Sequence, residues 1–147
     1  MRPPPPPIAM ARADFAMLDQ LAANKHLVVD MELSRVLLND DSTYPWVVLV
    51  PRQNNLREMH DLSEEHQMLL MREINKCSKA IDKLYKPFKM NVAAIGCVCP
   101  QLHIHVLGRT EGDRAWPGPV WGAHPAEPYT PEARDQRLAE LKAELSK

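Results

Sequence analysis

The chain has 147 residues, and its 18 basic and 19 acidic side chains leave a formal net charge of −1, which argues against a strongly basic nucleic-acid-binding domain. With 45% hydrophobic and 25% charged residues, the composition predicts a globular domain with a core of its own. All five glycines lie at Gly96 or later, so the preceding residues contain no glycine-rich phosphate loop of the Walker or dinucleotide-binding type.

The chain divides into three predicted regions. Residues 1–12 include five consecutive prolines, Pro3–Pro7, a pattern typical of a flexible polyproline-II tail and not of a signal peptide. Residues 13–122 form the predicted domain, and residues 123–147 are predicted to be an extended arm and a C-terminal helix. An odd cysteine count and the lack of an apolar run of about 20 residues favour a cytoplasmic protein without disulfides or a membrane span.

Short apolar runs at the start of the domain predict one helix and three strands. Phe15, Leu18 and Leu21 recur at helical spacing and predict a short helix over residues 14–24. The strands are predicted at residues 26–32, 34–38 and 46–50. Pro51 ends the third strand, because proline lacks the backbone N–H that a sheet needs.

One long helix is predicted in the middle of the domain. Ser63 is a favourable N-cap and Pro87 cannot continue a helix, so we expect a helix over residues 63–85. Its apolar residues recur at spacings of four and three, as one face of a helix requires. They are Leu70, Ile74, Cys77, Ile81 and Leu84.

A β-hairpin and a last helix complete the predicted domain. Its strands are expected near residues 89–95 and 101–108, joined by residues 96–100. Thr130 is expected to cap the last helix, with Pro131 at its first position. This order of elements predicts an α+β fold, in which one long helix packs on a mainly antiparallel sheet.

The second hairpin strand, Gln101–Gly108, has the sequence QLHIHVLG and alternates polar with apolar residues. Successive side chains on a strand point to opposite faces. The residues expected to face the core are Leu102, Ile104 and Val106. The residues expected on the opposite face are Gln101, His103 and His105.

Three interpretations of this polar face remain open. It could be the solvent face of an edge strand. His103 and His105 could instead bind a metal, although zinc needs three or four ligands and no second ligand motif is present. The other histidines that could contribute are His26, His60, His66 and His124. The third interpretation is phosphoryl chemistry, because an imidazole with a pKa near 6.5 is nucleophilic at neutral pH.

QLHIHVLG resembles the strand signature of the histidine-triad family, in which three histidines alternate with apolar residues. The resemblance covers roughly residues 25–122, since it includes the strand WVVLVPR, the long helix and Asn91 ahead of the histidine strand. The segments Tyr44–Trp46 and Trp116–Gly122 are similar to a bacterial branch related to diadenosine tetraphosphate hydrolases.

This resemblance implies a nucleotide hydrolase or transferase that acts on an adenosine-type phosphoanhydride or phosphoramidate. It places His103 as the nucleophile that takes the nucleotidyl group, and His105 as a residue that hydrogen-bonds the phosphate. Gln101 stands where the family has its first histidine, and a glutamine can exchange hydrogen bonds but cannot relay a proton. Asn91 resembles an asparagine that contacts the phosphate.

The resemblance also implies contacts outside the triad. Asn39 or Asp40 would bind the nucleoside, although both residue types also favour a β-turn. The Trp116–Trp121 arm is expected to pack over the sheet, near the site or against a second subunit of a homodimer. The covalent step needs no cofactor, and Mg²⁺ on a polyphosphate leaving group is compatible with it. No nucleic-acid or membrane partner is expected.

Two rival functions remain open at this point. Because Gln101 interrupts the triad, the chain could be a nucleotide-binding module with little turnover. It could also be a metalloprotein that holds its metal through histidines. The first rival predicts nucleotide binding without a covalent adduct, and the second predicts stoichiometric metal.

Overall fold

A computed structural model describes residues 15–147, so the predicted tail at residues 1–12 lies outside the described part of the chain. In chain order the elements are α1 (Asp19–Ala22), β1 (Lys25–Asp30), β2 (Ser34–Asn39), β3 (Trp46–Pro51), α2 (Glu64–Tyr85), β4 (Lys89–Ala93), β5 (Ile104–Arg109) and α3 (Pro131–Leu145). A single 3₁₀ turn, Met59–Asp61, precedes α2. Among the described residues, no helix combines the length and apolarity needed to cross a membrane.

The five strands form one antiparallel sheet with the order β1-β2-β3-β5-β4. The predicted α+β fold is therefore confirmed. The edge-strand interpretation of the histidine segment is wrong, because β5 lies between β3 and β4. In β5, His105 is opposite Val48 on one side and Ala93 on the other.

Helices cover one face of the sheet. The Ser63 hydroxyl accepts a hydrogen bond from the His66 amide at 3.2 Å and caps α2, as predicted. The apolar side of α2 packs on the sheet face that carries Ile104 and Val106. Leu141 and Leu145 of α3 are buried in the same core, so the C-terminal helix completes the domain.

The opposite face of the sheet carries a second apolar cluster, which surrounds the histidine side of β5. Its buried residues are Leu21, Leu37, Tyr44, Trp46, Val48, Val50, Cys99, Leu107 and Val120. Phe15, Met17 and Trp121 pack against this cluster from outside the sheet. The face is therefore covered by two chain segments, one from each end of the domain.

Several predicted elements are shorter in the structure: β4 ends at Ala93 and β1 ends at Asp30, and the largest differences are in the first helix and β5. The first helix has one turn, because Leu18 is extended (ψ 136°) and the chain before it bonds to loop side chains. β5 begins at Ile104 instead of near residue 101. The reason is that the Leu102 amide donates to the Leu56 carbonyl at 2.8 Å, which draws this stretch away from β4.

Candidate active site

Two imidazole rings, those of His103 and His105, lie together on the sheet face opposite α2. Their ring centroids are 5.1 Å apart, and each residue is only 8% exposed. The predicted alternation is confirmed, because Leu102, Ile104 and Val106 are buried in the core beneath the helices. Two histidines thus share a largely buried surface, where hydrogen bonds and charges act more strongly than in water.

The hydrogen bond of His103 determines which ring nitrogen is free. Its Nδ1 lies 2.7 Å from the backbone oxygen of Gln101. A carbonyl oxygen only accepts, so Nδ1 carries the proton and Nε2 of the neutral ring keeps its lone pair. Burial lowers the pKa of His103, and the nearby charge of Lys25 lowers it further. The hydrogen bond to the Gln101 oxygen raises the pKa and offsets part of this shift. The net result is a neutral ring with a nucleophilic Nε2 at pH 7.

His105 has the opposite tautomer. Its Nδ1 accepts a hydrogen bond from the indole N–H of Trp46 at 3.0 Å. Because an indole nitrogen only donates, the proton of the neutral His105 ring lies on Nε2. Burial lowers the pKa of His105 to about 3, and the charges of His103 and Lys25 act in the same direction. The two rings therefore provide one lone pair and one N–H donor without either being charged.

A cavity of about 260 Å³ opens beside His103. It lies between the loop after β3 and the loop that joins β4 to β5, and its lining residues are Arg57, Glu58, Ala94, Ile95, Gly96, Cys97, Pro100, Gln101, Leu102 and His103. Gly96 has φ +63°, and a Cβ there would lie 3.2 Å from the Cys99 oxygen. This position therefore favours glycine, which keeps the cavity wall close to the His103 ring.

The Gln101 side chain binds the N-terminal segment of the described chain. Its Oε1 accepts from the Leu18 amide at 2.9 Å, and its Nε2 donates to the Ala16 oxygen at 3.5 Å. The Asn54 side chain accepts from the Ala16 amide at 3.1 Å and holds the same segment from the other side. In the structure both ends of the Gln101 side-chain amide bind this segment, and the Gln101 backbone oxygen bonds to Nδ1 of His103.

Asn91 lies on the histidine face, in register with Leu107. Its Oδ1 accepts from the Arg109 guanidinium at 3.0 Å, and Arg109 also donates to the Asp113 carboxylate at 2.8 Å. The hydrogen-bonded pair of Arg109 and Asp113 raises the pKa of Arg109 and lowers that of Asp113. A phosphate contact from Asn91 would therefore use its amide nitrogen.

The two expected nucleoside contacts separate in the structure. Asn39 is buried at the end of β2, on the same sheet face as Leu37 and the histidines. Asp40 instead accepts a hydrogen bond from the Tyr129 amide at 3.0 Å and lies 3.6 Å from the His26 ring. Asn39 thus remains near the site, and Asp40 attaches the C-terminal arm to the sheet.

The tryptophan arm folds back over the histidines, as expected. The Trp121 ring lies edge-on to His105 at 5.4 Å and to Trp46 at 6.0 Å. Trp116 contacts Phe88 at 5.6 Å, at the end of the β4–β5 hairpin. Within residues 15–147, no group of three or more His, Cys, Asp or Glu side chains is arranged to hold a metal ion.

Comparison with known proteins identifies the family. The HIT domain model matches residues 20–112. The chain belongs to the HIT family. Solved structures of three histidine-triad proteins also match. The one from Marinobacter aquaeolei is 44% identical with a TM-score of 0.87, over 90% of this chain and 96% of that one.

The other two HIT structures come from rhizobia. The Sinorhizobium meliloti protein is 32% identical with a TM-score of 0.88, over 90% of this chain and 98% of its own. The Bradyrhizobium japonicum protein is 36% identical with a TM-score of 0.87, over 89% and 98% of the two chains. No curated protein matches the chain. HIT proteins are in general nucleotide-binding hydrolases and transferases, which agrees with the paired histidines.

Two site residues of this HIT protein were missed by the sequence analysis. Trp46 had been assigned to a buried strand and to a segment that resembles a bacterial branch of the family, but not to the site, yet its indole sets the tautomer of His105. Lys25 was not singled out, although its half-buried ammonium acts on the pKa of both histidines and pairs with no carboxylate in residues 15–147. Burial lowers the pKa of Lys25 as well. Neither role has a local sequence signal, because both depend on strands that are distant in the chain.

Proposed function

We propose that this protein is a nucleotide hydrolase or transferase that forms a nucleotidyl-histidine intermediate on His103. Its substrates would be adenosine-type phosphoanhydrides or phosphoramidates, as in the bacterial branch related to diadenosine polyphosphate hydrolases. The observation that carries the proposal is the 2.7 Å hydrogen bond from Nδ1 of His103 to the Gln101 oxygen, because it leaves the lone pair on Nε2.

The reaction has two displacements at the α-phosphorus. In the first, the Nε2 lone pair of His103 forms a bond to phosphorus while the bond to the leaving group breaks, and its electron pair departs with that group. The ring becomes a cation whose remaining proton stays on Nδ1, held by the Gln101 oxygen. In the second, water attacks phosphorus, the P–N bond breaks with its electron pair returning to Nε2, and the attacking water releases one proton to the solvent. The nucleoside monophosphate leaves and the neutral His103 ring is restored.

Neighbouring donors would stabilise the phosphate oxygens as charge develops on them. The N–H at Nε2 of His105 is fixed by the bond from Trp46 to its Nδ1. The amide nitrogen of Asn91 is a second donor on the same face. Lys25 adds a positive charge close enough to lower the pKa of both imidazoles, which also attracts an anionic substrate.

The remaining parts of the proposal concern the nucleoside, the cofactor and the assembly. Asn39 would bind the nucleoside, and Mg²⁺ would accompany a polyphosphate without taking part in the covalent step. A homodimer is supported by β4, an edge strand with exposed Val92 and, just beyond it, exposed Ile95 and Val98. A chain that sediments as a monomer would contradict the dimer. We also propose that the protein acts in the cytoplasm.

The direct test is intact-protein mass after mixing with adenosine 5′-phosphoramidate or diadenosine tetraphosphate, with quenching in mild base within seconds. We expect a mass gain of one adenylyl group and release of adenosine monophosphate. His103→Ala should abolish both. His60→Ala is the matched control, since its ring is 82% exposed and lies on the 3₁₀ turn outside the site.

One observation favours the nucleotide-binding module as the second candidate. Both ends of the Gln101 amide are used by the chain at Ala16 and Leu18, so this position provides no proton donor. A binding module would be protected from thermal unfolding by adenosine monophosphate, but it would give no adduct and no release. Unchanged turnover in His103→Ala would refute the proposed nucleophile.

A further inference from the structure

The cavity beside His103 is small for a complete nucleotide substrate. Ligand pockets usually have volumes of about 300–1,000 Å³, whereas this one has about 260 Å³. The Asn39 side of the sheet, where we propose the nucleoside binds, is not among its lining residues. The cavity therefore suits one part of a substrate, next to the nucleophile and away from the nucleoside.

Arg57 is held beside His103 by the backbone. The Leu102 amide donates to the Leu56 oxygen at 2.8 Å. Arg57 follows Leu56 and His103 follows Leu102, so this bond keeps the two backbones close together. Leu56 and Leu102 are 3% and 4% exposed in one core, which makes the arrangement rigid. Both residues line the same cavity, and the long arginine side chain has the length to reach a group bound next to the imidazole.

The Arg57 guanidinium is available to a ligand. Arg57 is exposed, and within residues 15–147 its guanidinium has no hydrogen-bond or ion-pair partner. The neighbouring carboxylate of Glu58 forms no ion pair with this guanidinium within residues 15–147, and the Asp61 amide donates to the Glu58 backbone oxygen at 3.1 Å. A free guanidinium in a cavity that also contains the nucleophile matches an anionic group such as phosphate.

The chemistry of the leaving group points the same way. An amine that departs from phosphorus must receive a proton, whereas a phosphate or polyphosphate departs as an anion and needs only charge neutralisation. Gln101 cannot deliver a proton, and His105 is already neutral because burial lowers its pKa to about 3. The site is therefore better equipped for an anionic leaving group than for an amine.

We infer that Arg57 binds the anionic leaving group, so that nucleoside phosphoanhydrides are cleaved in preference to phosphoramidates. This inference rests on the proposed function, because it assumes nucleotidyl transfer to His103. It assigns the cavity to the phosphates beyond the α-phosphate. Arg57 is thus a specificity-determining residue, and it acts on the departing half of the substrate.

The test compares two substrates that leave the same adenylyl group on His103. They are diadenosine tetraphosphate, whose leaving group is adenosine triphosphate, and adenosine 5′-phosphoramidate, whose leaving group is ammonia. For Arg57→Gln we expect kcat/KM on the anhydride to fall by about tenfold or more, as for the loss of a charge-assisted hydrogen bond. On the phosphoramidate we expect a change of less than about twofold by the same reasoning.

A matched control is Arg72→Gln, which removes an exposed arginine of α2 that does not line the cavity. This variant should leave kcat/KM unchanged on both substrates. As a measurement without turnover, inorganic pyrophosphate should bind the unmodified protein about tenfold more tightly than Arg57→Gln, while adenosine monophosphate binds both alike. Cys97→Ala checks the exposed thiol in the same wall as an alternative proton source.

Each outcome separates the two proposals. If neither substrate gives an adduct, the proposed function fails. If adducts form but Arg57→Gln lowers both kcat/KM values equally or leaves both unchanged, Arg57 does not contact the leaving group. Phosphoramidate cleavage that matches anhydride cleavage and is lost in Cys97→Ala would also overturn the inference, because a proton donor would then be at work.

Discussion

Two tryptophans contact the ring of His105 edge-on, but only one of them donates a hydrogen bond to it. Trp46 and Trp121 lie at centroid distances of 5.6 and 5.4 Å. The Trp46 N–H binds Nδ1 of His105, whereas the buried Trp121 N–H has no acceptor in the described part of the chain. Trp46→Phe and Trp121→Phe therefore make a matched pair, since each removes an indole N–H from the same cluster.

The expected difference between the two variants follows from this contrast. Trp46 is buried whereas Trp121 is only partly buried, so the loss of apolar contact adds to the difference in the same direction. Trp46→Phe also leaves Nδ1 of His105 buried without a donor, at a cost of about 1–3 kcal/mol, whereas Trp121→Phe removes a polar atom that was already unpaired. We expect Trp46→Phe to have the lower free energy of unfolding, by about 1–3 kcal/mol.

Urea denaturation of the two variants and the unmodified protein measures this difference. Nitrogen NMR of the imidazoles gives a second measurement. In the unmodified protein the His105 proton should lie on Nε2, and in Trp46→Phe the Nδ1 form should appear because nothing blocks it. Equal destabilisation by the two variants, within about 0.5 kcal/mol, would show that the indole bond does not hold His105.

Three further predictions concern stability. The pKa of His105 in the folded protein, about 3, lies below the ordinary histidine value, so between these two values the unfolded chain binds one proton more than the folded one. The free energy of unfolding should therefore fall by up to about 1.4 kcal/mol per pH unit as the pH drops from about 6.5 towards 3. A His105→Asn variant that kept the full slope would contradict this. The Glu73 carboxylate accepts hydrogen bonds from the Leu33 and Ser34 amides at 2.8 and 2.9 Å. Glu73→Gln should therefore lower the free energy of unfolding in urea by about 1–3 kcal/mol. A change within error would show that these two bonds do not stabilise the fold. Gly108→Ala would place a Cβ 2.9 Å from the Cβ of Pro87. This clash should cost about 1–3 kcal/mol and lower the Tm by several degrees. An unchanged Tm would show that the Pro87 ring moves aside.

Local patterns were sufficient for the two long helices, α2 and α3, and for the two faces of β5. Ser63 and the four-and-three spacing that follows it are contained in one stretch of chain, and α2 forms over Glu64–Tyr85 as predicted. The alternation around His103 and His105 is equally local, since it depends only on neighbours along the strand. These features survive in the fold because local preference and tertiary packing agree.

Features that depend on distant partners were not predictable in this way. The interior position of β5 requires β3 and β4 on either side, and no residue of β5 itself encodes that choice. The predicted helix over residues 14–24 lost its first turns because Gln101 and Asn54 bind the backbone there. In both cases a long-range contact replaced the local preference.

The two segments that cover the histidines lie at or beyond the ends of the region that defines the family. The HIT match ends at residue 112, so it leaves out Trp121, which shields His105. The match begins at residue 20, so it also leaves out Leu18, whose amide binds Gln101. A protein trimmed to the matched region would keep both imidazoles but lose the side chains that keep water away from them. Domain boundaries drawn from family similarity would therefore change the acidity of the site while leaving its sequence motif intact.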